Sequence, residues 1–236
     1  MVVNGLIAVA LGYLFGSIPV TYLVTFTFKG RDVRNIGDRT VHTSNVFREM
    51  GLGTAVVIAL LNTGKGLFAC FSVLLLLPEV LPLTFPWQLL ALFAVVVGHI
   101  RPIFMKFRGG YGLAVSVGIL TILLPQGMMI ALAIAILLTV FLRNPVLAVN
   151  ISMITVPISA AFQMDSPFLI VFPQARLLFV VFSAGLLLML GLNFLPVAKK
   201  AIAEAGGRDN LMTELFRLDR GNKKGKKAKK AKKARR

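Results

Sequence analysis

Apolar runs long enough to cross a membrane constrain this chain more than any other feature. A helix needs about 20 mostly apolar residues to span roughly 30 Å of hydrocarbon. Leu6 to Phe28, Val146 to Met164 and Ala175 to Pro196 have that length, and Trp87 to Phe104 falls just short of it. Leu52 to Leu77 is long enough but carries Asn62, Thr63, Gly64, Lys65 and Gly66 at its centre. Gly112 to Leu124 and Met128 to Leu142 are each short and flank Pro125, Gln126 and Gly127. The expected fold class is an all-α integral membrane protein with seven transmembrane helices, two of them short. At 57% hydrophobic and 15% charged residues, the composition excludes an ordinary soluble domain, and no nucleic-acid partner is expected. The first twenty residues lack a basic leader and a small-residue cleavage site, so they read as a retained first span rather than a signal peptide.

The charge distribution orients these spans. The formal net charge is +17, but Asn222 to Arg236 alone holds ten Lys and Arg and no acid, leaving 16 basic against 9 acidic side chains before it. Lys29, Arg31, Arg34, Arg39 and Arg48 lie in one connection, Arg101, Lys106 and Arg108 in another, and Arg143 in a third. The intervening connections carry Glu79 and Asp165, with Arg176 the exception just past an outer turn. Basic residues gather on the cytoplasmic side, so seven spans place the N-terminus outside and the C-terminus in the cytoplasm. Residues 1–198 form the expected membrane domain. Residues 199–236 form a polybasic tail, expected to be mostly disordered because it has no apolar partner to offset its ordering entropy. Such a tail would attract anionic membrane lipids.

A single cysteine, Cys70, rules out an internal disulfide and lies in an apolar run, as a buried small hydrophobe would. With His42 and His99 the only histidines, a His/Cys zinc site is not expected, and the metal expectation is none. No internal repeat points to an inverted-repeat transporter, and no intramembrane acid pairs with Lys65 for ion coupling.

Three segments could carry chemistry. The loop after the first span packs Asp38, Arg39, His42, Thr43, Ser44, Asn45 and Arg48 into eleven residues; it reads either as a set of ligands or as a topology-setting loop with Ser44 or Asn45 capping a helix. Lys65 lies in mid-span, about twelve residues from either end, which favours a polar cavity over snorkelling to the interface. Gly98 to Gly112 contains His99, Arg101, Lys106, Arg108, Gly109, Gly110 and Gly112. Glycines followed at once by a helix N-terminus can present backbone N–H groups to an anion, or can serve only as a turn between helices. A basic, glycine-rich cytoplasmic pocket in an apolar bundle suits an anionic substrate with an apolar tail.

At these residues the chain resembles the bacterial acyl-phosphate:glycerol-3-phosphate acyltransferases. Gly16-Ser17-Ile18-Pro19 with Tyr22-Leu23 is similar to the family's first-helix signature, and Ile36-Gly37 with Thr43-Ser44-Asn45-Val46-Phe47-Arg48 to its first cytoplasmic motif. Asn62, Lys65 and Gly66 fall on Asp-x-x-Lys-Gly, and Gly98-His99, Pro102, Phe104, Phe107, Gly109-Gly110, Gly112 and Ala114 on the Gly-His-x-x-Pro and Gly-Gly-Lys-Gly motif. The resemblance implies a multi-pass enzyme of the bacterial inner membrane that transfers a fatty acyl group from acyl phosphate to sn-glycerol 3-phosphate, giving lysophosphatidic acid without a cofactor. It implies catalytic roles for Asp38, His99 and Lys65, and substrate binding by Arg48, Asn45, Ser44, Lys106, Arg108, Gly109, Gly110 and Gly112.

The chain departs from the family pattern at several of these places. Asp38 stands at the first motif's serine, Thr40 at its asparagine, Asn62 at the intramembrane aspartate and Tyr111 at the lysine of Gly-Gly-Lys-Gly, and no His-Arg-Glu-Asn segment follows the last span. A carboxylate at Asp38 near a substrate phosphate adds repulsion, which a pairing with Arg39 or Arg34 would relieve. These departures keep a second reading open, a catalytically silent relative that binds lipid or regulates an active one.

Overall fold

The computed structural model describes residues 2–37, 39–81, 84–142, 145–162 and 175–204, and among these the regular structure is entirely helical. Asp38 and most of the basic tail lie outside the described residues, as does the side chain of Ser44. The elements in chain order are α1 (Val2–Gly16), α2 (Val20–Lys29), α3 (Thr43–Met50), α4 (Leu52–Phe71), α5 (Leu77–Val80), α6 (Phe85–Ile100), α7 (Leu113–Leu123), α8 (Pro125–Leu142), α9 (Pro145–Ser152), α10 (Thr155–Ala161) and α11 (Arg176–Glu204). A π-helical stretch, Ser72–Leu76, joins α4 to α5. Among the described residues, four helical units, Val2–Lys29, Leu52–Val80, Phe85–Met105 and Arg176–Pro196, are long and apolar enough to cross a membrane. Three shorter apolar helices occupy Leu113–Leu123, Pro125–Phe141 and Leu147–Ala161. The chain is a multi-pass membrane protein.

Three of the expected continuous spans are interrupted, each at a proline; Trp87 to Phe104 is α-helical only to Ile100, with Arg101 and Pro102 before a 3₁₀ turn at Ile103–Met105. Leu6 to Phe28 breaks at Ser17, Ile18 and Pro19: proline has no N–H to donate to Phe15 four residues back, and its ring crowds that carbonyl. Val146 to Met164 divides into α9 and α10, because Pro157 stands in the same relation to Met153. The boundary expected at residue 198 falls inside α11, which runs on to Glu204.

Close backbone approach, not side-chain bulk, joins the central pairs. α1 packs on α6 so tightly that a Cβ on Gly12 would collide with the carbonyl of Ala91, one on Gly16 with that of Val95, and one on Gly98 with that of Tyr13. α4 meets α7 the same way, Gly66 against the Val115 carbonyl and Gly118 against that of Thr63. Small residues at such seams let van der Waals contact drive association where lipid supplies no hydrophobic gain. The core around these pairs includes Val95, Val96, Ile119, Leu123, Met128 and Phe179. A second cluster, Val24, Val33, Val41, Val46, Ile58 and Met105, anchors the loop between α2 and α3.

Several hydroxyls bond back to the carbonyl four residues earlier, whereas the buried Ser72 and Ser116 Oγ have no partner among the described residues. Ser17 Oγ donates to Tyr13 O at 2.8 Å, Thr139 to Ala135 O at 2.7 Å and Ser183 to Phe179 O at 2.7 Å. Leu6, Val56, Leu60, Ile136, Val140, Leu188 and Leu192 face outward, an apolar surface suited to lipid.

Candidate functional site

The break between α1 and α2 frees backbone carbonyls inside the protein. Val20 N–H, which would bond Gly16 O in a continuous helix, donates instead to Ile18 O at 3.0 Å. The ammonium of Lys65, from α4, fills the gap: Nζ donates to Gly16 O at 2.8 Å and to Ile18 O at 3.1 Å. Lys65 is 7% exposed and so does not snorkel. These carbonyls lie at the C-terminal, negative end of α1, where a cation is favoured. Nζ also lies 3.4 Å from Nδ1 of His99, near the end of α6. Asn62, one turn earlier, is buried and donates through Nδ2 to Ile58 O at 2.9 Å, while its Oδ1 has no partner among the described residues.

After His99 the chain folds back on α6. Gly109 N–H donates to Ile100 O at 3.1 Å and Gly110 N–H to His99 O at 3.2 Å. Those two donors therefore close the turn and are not free to cradle an anion. A Cβ on Gly110 would lie 2.5 Å from His99 Nε2, so the ring sits directly against this glycine. Gly112 (φ +85°) is the N-cap of α7, whose first N–H groups, by helix geometry, have no intrahelical acceptor. Between Pro102 and Gly109, Lys106 (φ +52°) and Phe107 (φ +60°) are consecutive left-handed residues, a strained conformation for side chains of this size, and Phe107 N–H closes on Pro102 O at 2.9 Å.

The helix break, His99 and the glycine turn bound one pocket, lined by Gly16, Ile18, Pro19, His99, Gly109 and Gly110 with Tyr22 and Val41 nearby. Lys65 reaches its wall through Gly16 and Ile18. Arg48, in the last turn of α3, and Lys106 and Arg108, on the folded-back loop, are exposed and do not line it. Among the described residues, no three His, Cys, Asp or Glu side chains gather as a metal site would require.

The loop between α2 and α3 is shaped by its own polar groups. α2 ends at Gly30 (φ +58°), where Gly30 and Arg31 N–H groups return to the carbonyls of Phe26 and Thr25. Asp32 then caps a 3₁₀ turn, Val33–Asn35, accepting from Arg34 N at 2.9 Å and from Arg34 Nη2 at 2.7 Å. The Arg34 guanidinium holds the Asp32 carboxyl below the usual carboxylate range. Arg34, one of two partners expected for Asp38, is thus engaged by Asp32 and also lies 5.1 Å from the Tyr22 ring centre. α3 begins at Thr43 with His42 as N-cap, so Ser44 and Asn45 lie inside the helix and neither caps it. Asn45 is fully buried, and its Nδ2 donates to Ile36 O at 3.1 Å and Thr40 O at 2.8 Å, tying the loop to α3. Gly37 (φ +57°) crosses directly over the Asn45 amide, where a Cβ would collide with Oδ1.

Tyr111 stacks on His42, ring centroids 3.6 Å apart, and meets Phe194 of α11 edge-on at 6.0 Å. Beside it, Asn193 Nδ2 donates to Gly110 O at 3.2 Å. Neither Asn193 nor Phe194 stood out in the sequence, since nothing near them in the chain marks a contact with a loop more than eighty residues away. The role of Gly16 and Ile18 was also missed, although Pro19 inside an apolar run was its signal.

The family model for glycerol-3-phosphate acyltransferase matches residues 6–198. Glycerol-3-phosphate acyltransferase 1 of Dehalococcoides mccartyi is 32% identical over 209 residues, covering 86% of this chain and 94% of that protein. The glycerol-3-phosphate acyltransferase of Shouchella clausii is 32% identical over 160 residues, covering 68% and 77% respectively. Among solved structures, the integral membrane glycerol 3-phosphate acyltransferase PlsY in its glycerol 3-phosphate form superposes with a TM-score of 0.68 at 21% identity, covering 85% of this chain and 92% of PlsY. Its lysophosphatidic acid form gives 0.65 at 20% identity. The chain belongs to the glycerol-3-phosphate acyltransferase family.

Proposed function

We propose that this protein transfers a fatty acyl group from acyl phosphate to the 1-hydroxyl of sn-glycerol 3-phosphate, forming lysophosphatidic acid and releasing phosphate. The observation that carries this reading is the family match across residues 6–198, which spans the helix break, Lys65, His99 and the glycine turn together. The donor is already activated: the acceptor hydroxyl oxygen bonds to the acyl carbon, the carbon–oxygen bond to phosphate breaks, and the hydroxyl proton leaves on the released phosphate. The protein's part is to hold two anions and align hydroxyl with carbonyl, a task of positioning and charge stabilisation.

In this reading His99 touches the substrates at the Gly109–Gly110 turn, and Lys65 acts from behind it. Arg48, Lys106 and Arg108 supply cations at the mouth, with Gly112 and the N-terminus of α7 adding oriented N–H groups. Asp38 acts in catalysis and Ser44 in substrate binding, and Asn45 ties the preceding loop to α3. Seven spans with the N-terminus outside place this mouth at the cytoplasmic face of the bacterial inner membrane, where both soluble and lipid-borne substrates can reach it. The polybasic tail binds anionic headgroups on the same face, at about 1 kcal/mol per basic residue near the surface. Purified protein supplied with acyl phosphate and labelled glycerol 3-phosphate tests the activity. Labelled lysophosphatidic acid is the expected product, and none forming beside a working family member would overturn the reading.

A further inference from the structure

Lys65 Nζ donates to Gly16 O at 2.8 Å and to Ile18 O at 3.1 Å and lies 3.4 Å from His99 Nδ1, three neighbours for the three protons of an ammonium. An ammonium only donates, so the histidine nitrogen facing it must accept and cannot carry a proton in this contact. An imidazole with a bare Nδ1 and one proton carries that proton on Nε2. Nε2 is the nitrogen turned toward Gly110, where an added Cβ would lie 2.5 Å from it, and the ring borders the pocket beside Gly109 and Gly16.

We propose that Lys65 is a positioning residue that fixes His99 as its Nε2–H tautomer, so that His99 serves the site as a hydrogen-bond donor and not as the base for the acceptor hydroxyl. The sequence of causes is physical throughout. Pro19 interrupts the first span, the interruption exposes the Gly16 and Ile18 carbonyls, and these orient the buried ammonium. Its third proton then selects the histidine tautomer, and the outward Nε2–H meets an anionic oxygen at the glycine turn. The proposal rests on the acyltransferase reading for what that oxygen belongs to, namely the phosphate or carbonyl of the acyl donor. The tautomer itself does not depend on it.

The test is side-chain nitrogen NMR of protein labelled with ¹⁵N-histidine in lipid nanodiscs. Only two histidines contribute, and the His99 signals are those lost in His99→Gln. A protonated Nε2 and a bare Nδ1 are expected in the wild type, with that preference lost in Lys65→Met. A wild-type spectrum with the proton on Nδ1 overturns the proposal whether or not Lys65→Met folds, and so does an unchanged tautomer in a folded Lys65→Met. Turnover supplies a second readout. His99→Gln keeps an N–H near the Nε2 position and should stay within about tenfold of wild type, whereas His99→Leu should lose about 10²–10³-fold, the usual consequence of removing one such donor. Equal large losses in both variants overturn the donor role. A wild type that shows the Nε2–H tautomer yet makes no lysophosphatidic acid supports the Lys65 clamp and removes the acyltransferase reading alone.

Discussion

Tyr111 lies flat on His42, with ring centroids 3.6 Å apart and planes 15° apart, while Phe194 meets its edge at 6.0 Å. The ring thus joins three separate segments: the start of α3, the glycine turn and the second half of α11. An aromatic connector stands where the resemblance puts a lysine. Aromatic pairs contribute about 0.5–1.5 kcal/mol beyond buried area, so Tyr111→Leu should destabilise the protein by about 1–3 kcal/mol. Thermal unfolding in detergent measures this, and a midpoint equal to wild type would show that the stack joins nothing.

Gly64 and Gly66 flank Lys65 but face different surroundings. A Cβ on Gly66 would collide with the Val115 carbonyl of α7, whereas none of the described residues lies within 4 Å of one on Gly64. Gly66→Ala should therefore force α4 from α7 and cost about 1–3 kcal/mol, as overpacking does. Gly64→Ala should be neutral or stabilise by up to about 1 kcal/mol through helix propensity. Parallel unfolding of the two variants decides it, and equal behaviour would contradict the seam between α4 and α7.

What could be read from residue order alone follows from these cases. The length of the apolar runs was legible because hydrocarbon thickness sets it, and burial of Lys65 was legible because it lies far from either end of its run. Its acceptors were not, being main-chain oxygens of residues 49 and 47 positions earlier, which leave no mark in composition beyond the proline that frees them. Asn45 looked like a ligand by residue type, yet its amide protons serve Ile36 and Thr40. Gly109 and Gly110 looked like an anion cradle, yet their N–H groups return to α6. A glycine-rich string specifies that the backbone can turn, but the direction of its N–H groups depends on which carbonyls the preceding helix leaves open.

The Asp32–Arg34 pair predicts a small acid sensitivity in the loop before α3. Because the folded carboxyl lies below its unfolded value, the pair's contribution is present above about pH 4 and is lost as pH falls through the lower, folded value. Asp32→Asn should remove that dependence, and as a solvent-accessible pair it should cost no more than about 1 kcal/mol at neutral pH. Limited proteolysis of the loop across an acid series checks both statements. A wild type and variant with the same acid profile would show that the pair does not order the loop.

Pro19 joins fold to site most directly. Pro19→Ala restores the N–H that a continuous helix would give to Phe15 O and lets Val20 N–H return to Gly16 O, drawing both carbonyls away from Lys65. Two opposing effects act on stability, since alanine is favoured over proline in a helix by about 3 kcal/mol while a buried ammonium loses acceptors. Turnover has no such compensation and should fall about tenfold or more, with the unfolding midpoint changing far less in proportion. Because Pro19 and Lys65 act in series, Pro19→Ala combined with Lys65→Met should be hardly worse than the poorer single variant. Losses that multiply in the double variant would place the two residues on independent routes to the site.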